Sequence, residues 1–217
     1  MLTYKQRFIR FMVENEVLLF GDFTLKSGRK APYFINAGKY RTGSQIAALG
    51  EYYAECFLEH KVEAKTLVGP AYKGIPLAVA TSIALAKNHG VDVGFCFDRK
   101  EVKDHGEGGM FVGAQLAAGD RVCLIEDVMT SGKALREILP KIKGEADVRV
   151  EAMIISVDRQ EKGTGEKSAV QEAFDEYGIR VYSIVTMQDI IDAIEQGVID
   201  GKEHLAAMKA YRAQYGA

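Results

Sequence analysis

Apolar residues recur along this chain in two rhythms, one every third or fourth position and one in short unbroken runs, and from about residue 65 onward the two alternate. Phe8, Phe11 and Met12 sit at helical spacing and predict a helix over residues 3–15. Residues 17–25 and 33–36 predict two short strands on either side of the turn Lys26-Ser27-Gly28-Arg29. Ile46, Leu49, Tyr53 and Phe57 share one face of a helix predicted over residues 43–60. Short apolar strands follow at 66–69, 91–97, 121–125, 148–157 and 179–185. Between them lie an apolar helix at 75–86, a helix at about 133–143 and another at 168–177, while 98–113 reads as a long polar loop. Two further helices, 187–196 and 202–215, complete the series. Strands alternating with helices predict an α/β fold with a mostly parallel central sheet flanked by helices.

A chain of 217 residues has room for one well-buried α/β domain, so residues 1–217 are expected to form a single domain, with 1–64 as a small N-terminal cap beside the sheet. The formal net charge of −2 lacks the basic excess of a general nucleic-acid binder. The run at 75–86 is too short to span a bilayer, and residues 1–15 carry no signal-peptide core. Cys56, Cys96 and Cys123 are odd in number and widely spaced in apolar surroundings, which predicts reduced, buried thiols and a cytoplasmic location.

The densest chemistry lies in Val122-Cys123-Leu124-Ile125-Glu126-Asp127-Val128-Met129-Thr130-Ser131-Gly132-Lys133. An apolar strand ends in two adjacent carboxylates, then a small-residue turn opens a helix. Ligands of open α/β sheets collect beyond the carboxyl ends of strands. Backbone N–H groups, the Thr130 and Ser131 hydroxyls and a helix N-terminus make an anion site suited to a monophosphate. Glu126 and Asp127 would repel that phosphate, so they are expected to face the cis hydroxyls of a ribose. A second segment, from Asp98 to Gly109, carries Arg99, Lys100, Lys103 and His105 beside Gly106, Gly108 and Gly109, a composition suited to a lid that gathers cations on a pyrophosphate. By itself a charge run of this kind is ordinarily a solvated loop.

The Glu126–Gly132 stretch resembles the signature of the type I phosphoribosyltransferases, and Arg-Lys-x-x-Lys-x-His-Gly-x-Gly-Gly from Arg99 resembles the catalytic loop of the orotate phosphoribosyltransferase family. Leu25-Lys26-Ser27-Gly28-Arg29 with Pro32-Tyr33-Phe34, Gly69-Pro70-Ala71-Tyr72-Lys73-Gly74-Ile75-Pro76, and Asp158-Arg159-Gln160-Glu161 are similar to further segments of that family, in its order. The resemblance implies transfer of a 5-phosphoribosyl group from phosphoribosyl pyrophosphate (PRPP) to orotate. In that reading Lys26, Tyr72, Lys73, Arg99, Lys100, Lys103 and His105 serve the pyrophosphate. Glu126, Asp127, Val128, Met129, Thr130, Ser131, Gly132, Lys133 and Ala134 hold the ribose 5-phosphate. Lys26, Phe34, Ile35, Thr130 and Arg159 contact the base, with the Arg159 guanidinium taking the orotate carboxylate. Lys103, Arg99, Lys100, His105 and Asp127 are the expected catalytic groups. Two positions depart from the common pattern: Lys133 follows the glycine where a small or hydroxyl residue is frequent, and Ile35 stands where a second aromatic is frequent. The resemblance also implies Mg2+ carried in by the diphosphate rather than a dedicated protein metal site, and a homodimer whose catalytic loop reaches the neighbouring subunit's site. It implies no nucleic-acid or membrane partner. A purine or other pyrimidine phosphoribosyltransferase would keep the ribose-phosphate turn without needing Arg159. A regulator that senses PRPP and binds nucleic acid would be expected to be more basic.

Overall fold

The computed structural model describes residues 1–25, 28–103, 109–163 and 165–217. Helix α1 (Tyr4–Glu14) starts at a reciprocal cap, in which the Thr3 hydroxyl accepts the Gln6 N–H and the Gln6 side chain accepts the Thr3 N–H. It buries Phe8, Ile9 and Met12. Strands β1 (Leu18–Thr24) and β2 (Lys30–Ile35) pair antiparallel as a separate two-stranded sheet, with a register shift between Phe20 and Phe23. Helix α2 (Gly43–Glu59) opens on a second reciprocal cap at Thr42.

The main sheet comprises β3 (Thr66–Val68), β4 (Gly94–Lys103), β5 (Gly109–Gly113), β6 (Arg121–Val128), β7 (Arg149–Asp158) and β8 (Arg180–Thr186). Their spatial order is β5-β4-β3-β6-β7-β8, and every pair is parallel except β4 with β5 at the edge. The intervening helices are α3 (Gly74–His89), α4 (Lys133–Glu145) and α5 (Ala169–Tyr177), with α6 (Met187–Glu195) and α7 (Leu205–Tyr215) after β8. Successive side chains of a strand point to opposite faces, and the core divides accordingly. Leu67, Cys123, Ile125, Ala152 and Ile154 pack in the layer that contains the buried residues of α1, α2 and α6. Val68, Val122, Leu124, Met153 and Ile155 pack in the other, with Leu135, Ile138 and Ile142 of α4 and Ala173 of α5. Both faces of the sheet are thus covered, as a parallel sheet requires. All three cysteines are buried and free, Cys56 and Cys123 in the first layer and Cys96 in the second.

One expected element is corrected. Residues 98–113 do not form a simple polar loop: β4 runs on to Lys103 and returns through β5, with Cys96, Phe97 and Asp98 opposite Gly113, Val112 and Phe111. The ladder breaks between Asp98 and Lys103 before Lys103 pairs with Gly109. An edge ribbon needs hydrogen-bonding partners on one side only, so its charged side chains can stay in water while its backbone is paired.

The segment before residue 64 is fastened at several places. Helix α1 packs on α6 and β8, α2 on α3, β7 and β8, and β2 on α7. Tyr53 of α2 also donates from its hydroxyl to the Glu126 carbonyl at 2.7 Å, which ties that helix to the carboxyl end of β6.

Candidate active site

Strands β3 and β6 are neighbours, and each ends in a turn that opens a helix, α3 and α4 respectively. Between the two turns lies a cavity of about 330 Å³ lined by residues 71–73, residues 126–135 and Met153. Gly74 permits this approach, since a Cβ there would lie 2.7 Å from the Ile125 carbonyl oxygen. Gly132 takes the left-handed conformation at φ +65° as the chain turns into α4.

The two helices that open at the cavity, like α7, lack a feature that the other helices share. Helices α1, α2, α5 and α6 begin with reciprocal side-chain caps at Thr3, Thr42, Ser168 and Thr186. Helices α3 and α4 begin at Lys73 and Gly132 with no side-chain cap hydrogen bond. At α4 the first-turn N–H groups carry the positive end of the helix dipole and can meet an anion, whereas at α3 the Gly74 N–H donates to the Pro70 carbonyl at 3.0 Å and Pro76 has no N–H, which leaves that of Ile75. The Thr130 and Ser131 side chains are exposed at the same turn.

Glu126 and Asp127 close the floor. Glu126 is 8% exposed, and burial pushes its carboxyl up to about 8, opposed by the Asp127 N–H that it accepts at 2.9 Å and assisted by the neighbouring Asp127 charge. Asp127 accepts the Val128 N–H at 2.8 Å on one carboxylate oxygen and the Lys73 ammonium at 2.7 Å on the other. Its backbone carbonyl accepts the Ser156 hydroxyl at 2.6 Å. Burial thus favours the neutral form of Glu126, while Asp127 meets the Lys73 ammonium. The cavity can present two adjacent carboxyl groups to a diol while two helix ends face phosphates.

Tyr72 and Lys73 are exposed on the first turn, beside Ala71, to which Tyr72 is joined by a cis peptide. That turn has an anchor which sequence reasoning missed. Asp98 is 6% exposed; one carboxylate oxygen accepts the Ala71 N–H at 2.8 Å, and the other pairs with the ammonium of Lys141 on α4. Alternation along β4 was the available signal, because it puts Asp98 on the face of buried Cys96, toward the layer that includes α4.

The expected base-binding residues fall beside β7. Arg159 follows the end of that strand; its Nε and Nη2 donate to one oxygen of Glu161 at 3.0 and 2.7 Å, and Nε also reaches the Tyr33 hydroxyl at 3.3 Å. Tyr33, on β2, donates its hydroxyl to the same Glu161 oxygen. Sequence reasoning assigned Tyr33 no role of its own. Phe34 is 36% exposed and stacks on Phe23 with 5.5 Å between ring centroids, whereas Ile35 packs against the first core layer. The two-residue period of β2 thus puts Phe34 and Ile35 on opposite faces, and only Phe34 offers an exposed aromatic surface.

The structure brings together Tyr72, Lys73 and residues 126–134 in one cavity. Arg99 is half-buried on β4, next to Asp98. Lys100 and Lys103 lie on the same strand, but their side chains, like Lys26 and His105 altogether, lie outside the described residues. Among the described residues there is no cluster of three or more His, Cys, Asp or Glu able to hold a metal, and no helix long and apolar enough to cross a membrane.

Residues 40–179 match the phosphoribosyl transferase domain family. The orotate phosphoribosyltransferase of Edwardsiella ictaluri (strain 93-146) is 50% identical over 216 residues, covering 100% of both chains. That of Vibrio cholerae serotype O1 is 50% identical over 217 residues, again covering 100% of both. Among solved structures, the orotate phosphoribosyltransferase of Francisella tularensis superimposes with a TM-score of 0.88 at 39% identity, over 97% of this chain and 100% of that one.

Proposed function

This chain belongs to the orotate phosphoribosyltransferases, within the phosphoribosyltransferase family, and from that premise we propose how its own residues divide the work of moving a 5-phosphoribosyl group from PRPP to orotate. The products are orotidine 5′-phosphate and diphosphate, a nucleotide-forming step of pyrimidine synthesis. The observation that carries the reading is the cavity between two uncapped helix N-termini, with Glu126 and Asp127 at its floor.

The turn from Val128 to Ala134 receives the ribose 5-phosphate on the N-terminus of α4, and Asp127 with neutral Glu126 takes the ribose hydroxyls. The 71–73 turn receives the diphosphate, and Lys73 exchanges Asp127 for it when donor binds. Orotate N1 then attacks C1 of the ribose and releases its proton to solvent, and the C–O bond breaks with its electron pair departing on diphosphate. Positive charge on the ribose ring and negative charge on the leaving group both grow toward the transition state. Arg99, Lys100, Lys103 and His105 are proposed to stabilise the leaving group, with Lys26 beside them, and Lys103 to have the largest effect on turnover. Phe34 and Thr130 contact the base plane, and Arg159 takes its carboxylate.

A magnesium ion carried on the diphosphate would offset negative charge on the leaving group, with Tyr72 and Lys73 at the turn that holds the diphosphate. The oxygen donors of the cavity suit a hard cation that keeps most of its contacts to phosphate and water.

We further propose that residues 1–64 act as the cap that bears the base-binding segment, and that the chain works as a homodimer with shared sites. An outward apolar stripe on α3, with Ile75 and Val79 half-buried and Ile83 53% exposed, favours a partner surface. Three buried free thiols favour a cytoplasmic location.

The experiment is a magnesium-dependent assay of orotate absorbance on adding PRPP, with adenine, guanine, hypoxanthine and uracil in parallel. Selective consumption of orotate is expected. Turnover of another base instead would overturn the base assignment, and tight donor binding without any turnover would make the chain a sensor.

A further inference from the structure

An arginine that recognises a carboxylate must present the correct edge. A guanidinium has two that can take a carboxylate with paired N–H bonds: a side edge, formed by Nε and one Nη, and an end edge, formed by both Nη atoms. In this structure the side edge of Arg159 is occupied, since Nε and Nη2 both point at one oxygen of Glu161. No group among the described residues takes the end edge.

Glu161 is itself held from several directions. The Tyr33 hydroxyl donates to the oxygen that Arg159 uses, and burial pushes the Tyr33 phenol up, so it remains a proton donor. Arg29 approaches the second oxygen at 3.6 Å and donates to the carbonyls of Lys162 and Gly163 at 3.1 and 3.3 Å. Its guanidinium lies over the Tyr215 ring at 4.8 Å. The backbone around Glu161 is paired with residues at and just after the end of α7: Lys162 N–H donates to the Tyr215 carbonyl at 2.8 Å, Ala217 N–H to the Gln160 carbonyl at 3.0 Å, and Glu161 faces Gly216 across an isolated bridge.

The charges in this contact set do not cancel. Two guanidiniums, Arg29 and Arg159, meet one carboxylate, Glu161. One positive charge remains, and the open edge of Arg159 is where it is presented. That is the charge and the geometry required by a single planar carboxylate.

We infer that Glu161 is a positioning residue for base recognition, which fixes the side edge of Arg159 so that its end edge faces the carboxylate of the base, with Tyr33 and the segment at 215–217 holding Glu161 in place. The inference rests on Arg159 as the residue that takes the orotate carboxylate. Glu161 need not touch the substrate. Its contribution is to remove the rotational freedom of the guanidinium before the base arrives.

The test is the Michaelis constant for orotate and for PRPP, measured separately in Glu161→Ala, Glu161→Gln, Arg159→Ala and Tyr33→Phe. Glu161→Ala is expected to raise the orotate constant about tenfold or more and to move the PRPP constant less than about twofold. Glu161→Gln keeps an acceptor on the same edge and is expected to recover most of that loss. A normal orotate constant in Glu161→Ala, with Arg159→Ala impaired, would overturn the positioning role while leaving the base site intact. A normal orotate constant in Arg159→Ala would overturn the base-site assignment, and this inference with it. Where Glu161→Ala does not fold, Tyr33→Phe decides: an orotate-only rise of about threefold supports the inference, and equal changes in both constants overturn it.

Discussion

Glu126 puts an acid where the strand it belongs to is still core, and the energetic consequence depends on pH. Its ordinary value near 4.5 moves up to about 8 in the folded chain, chiefly through burial. Below about pH 4.5 the group is protonated in both folded and unfolded chains and costs the fold nothing. Between 4.5 and 8 the unfolded chain releases the proton and the folded chain keeps it, so stability falls as pH rises, and the full loss is reached above 8. Glu126→Gln, which cannot ionise, is expected to match the parent in thermal melts near pH 5 and to exceed it by about 1–3 kcal/mol near pH 9. A constant difference across that range would mean that Glu126 ionises normally. At this scale the sequence was legible where residues are neighbours along the chain: Glu126, Asp127, Thr130, Ser131 and Gly132 announce a site by adjacency. Asp98 and Tyr33 do not, because the partners that give them meaning, Ala71 and Lys141 for one and Glu161 and Arg159 for the other, are brought to them only by the fold.

The edge ribbon of β4 and β5 shows how an element can be hidden by its surface. Asp98, Arg99, Lys100, Glu101 and Lys103 suppress the apolar signal that marks β3, β6 and β7, so periodicity ends where the strand does not. The buried strands and their following helices were legible to within a few residues, since burial on both faces leaves continuous apolar runs. The extension of β4 has a mechanical result: the strand that carries Arg99 and Lys103 is joined through Asp98 to the turn proposed to hold diphosphate and to α4. Asp98→Ala removes the acceptor of the Ala71 N–H and the partner of Lys141. It is expected to raise the PRPP Michaelis constant about tenfold, leave that for orotate near normal, and lower unfolding free energy by about 1–3 kcal/mol in denaturant titration. A loss of stability with an unchanged donor constant would confine Asp98 to a purely structural role.

At the scale of the molecule, alternation of strands and helices was enough to read the doubly covered sheet, while the attachment of the first 64 residues through α6, α7 and β8 depends on contacts between distant parts of the chain. If the basic ribbon serves the neighbouring subunit, Lys103→Ala and Asp127→Asn impair different halves of each site. Mixing the two inactive variants under conditions that allow subunit exchange is expected to restore up to about a quarter of parental activity, because a mixed dimer holds one site with both residues intact. No recovery, or sedimentation as a monomer at active concentrations, would argue that each chain supplies its own lysine. The pairing of residues 160–162 with 215–217 gives the molecule an internal schedule. Every residue that lines the cavity precedes Arg159 in the chain, but the segment that braces Glu161 is made only after β8 and α6, at the end of α7. During synthesis, then, the ribosome delivers the residues proposed to grip the donor before the last segment proposed to steady the base-selecting arginine.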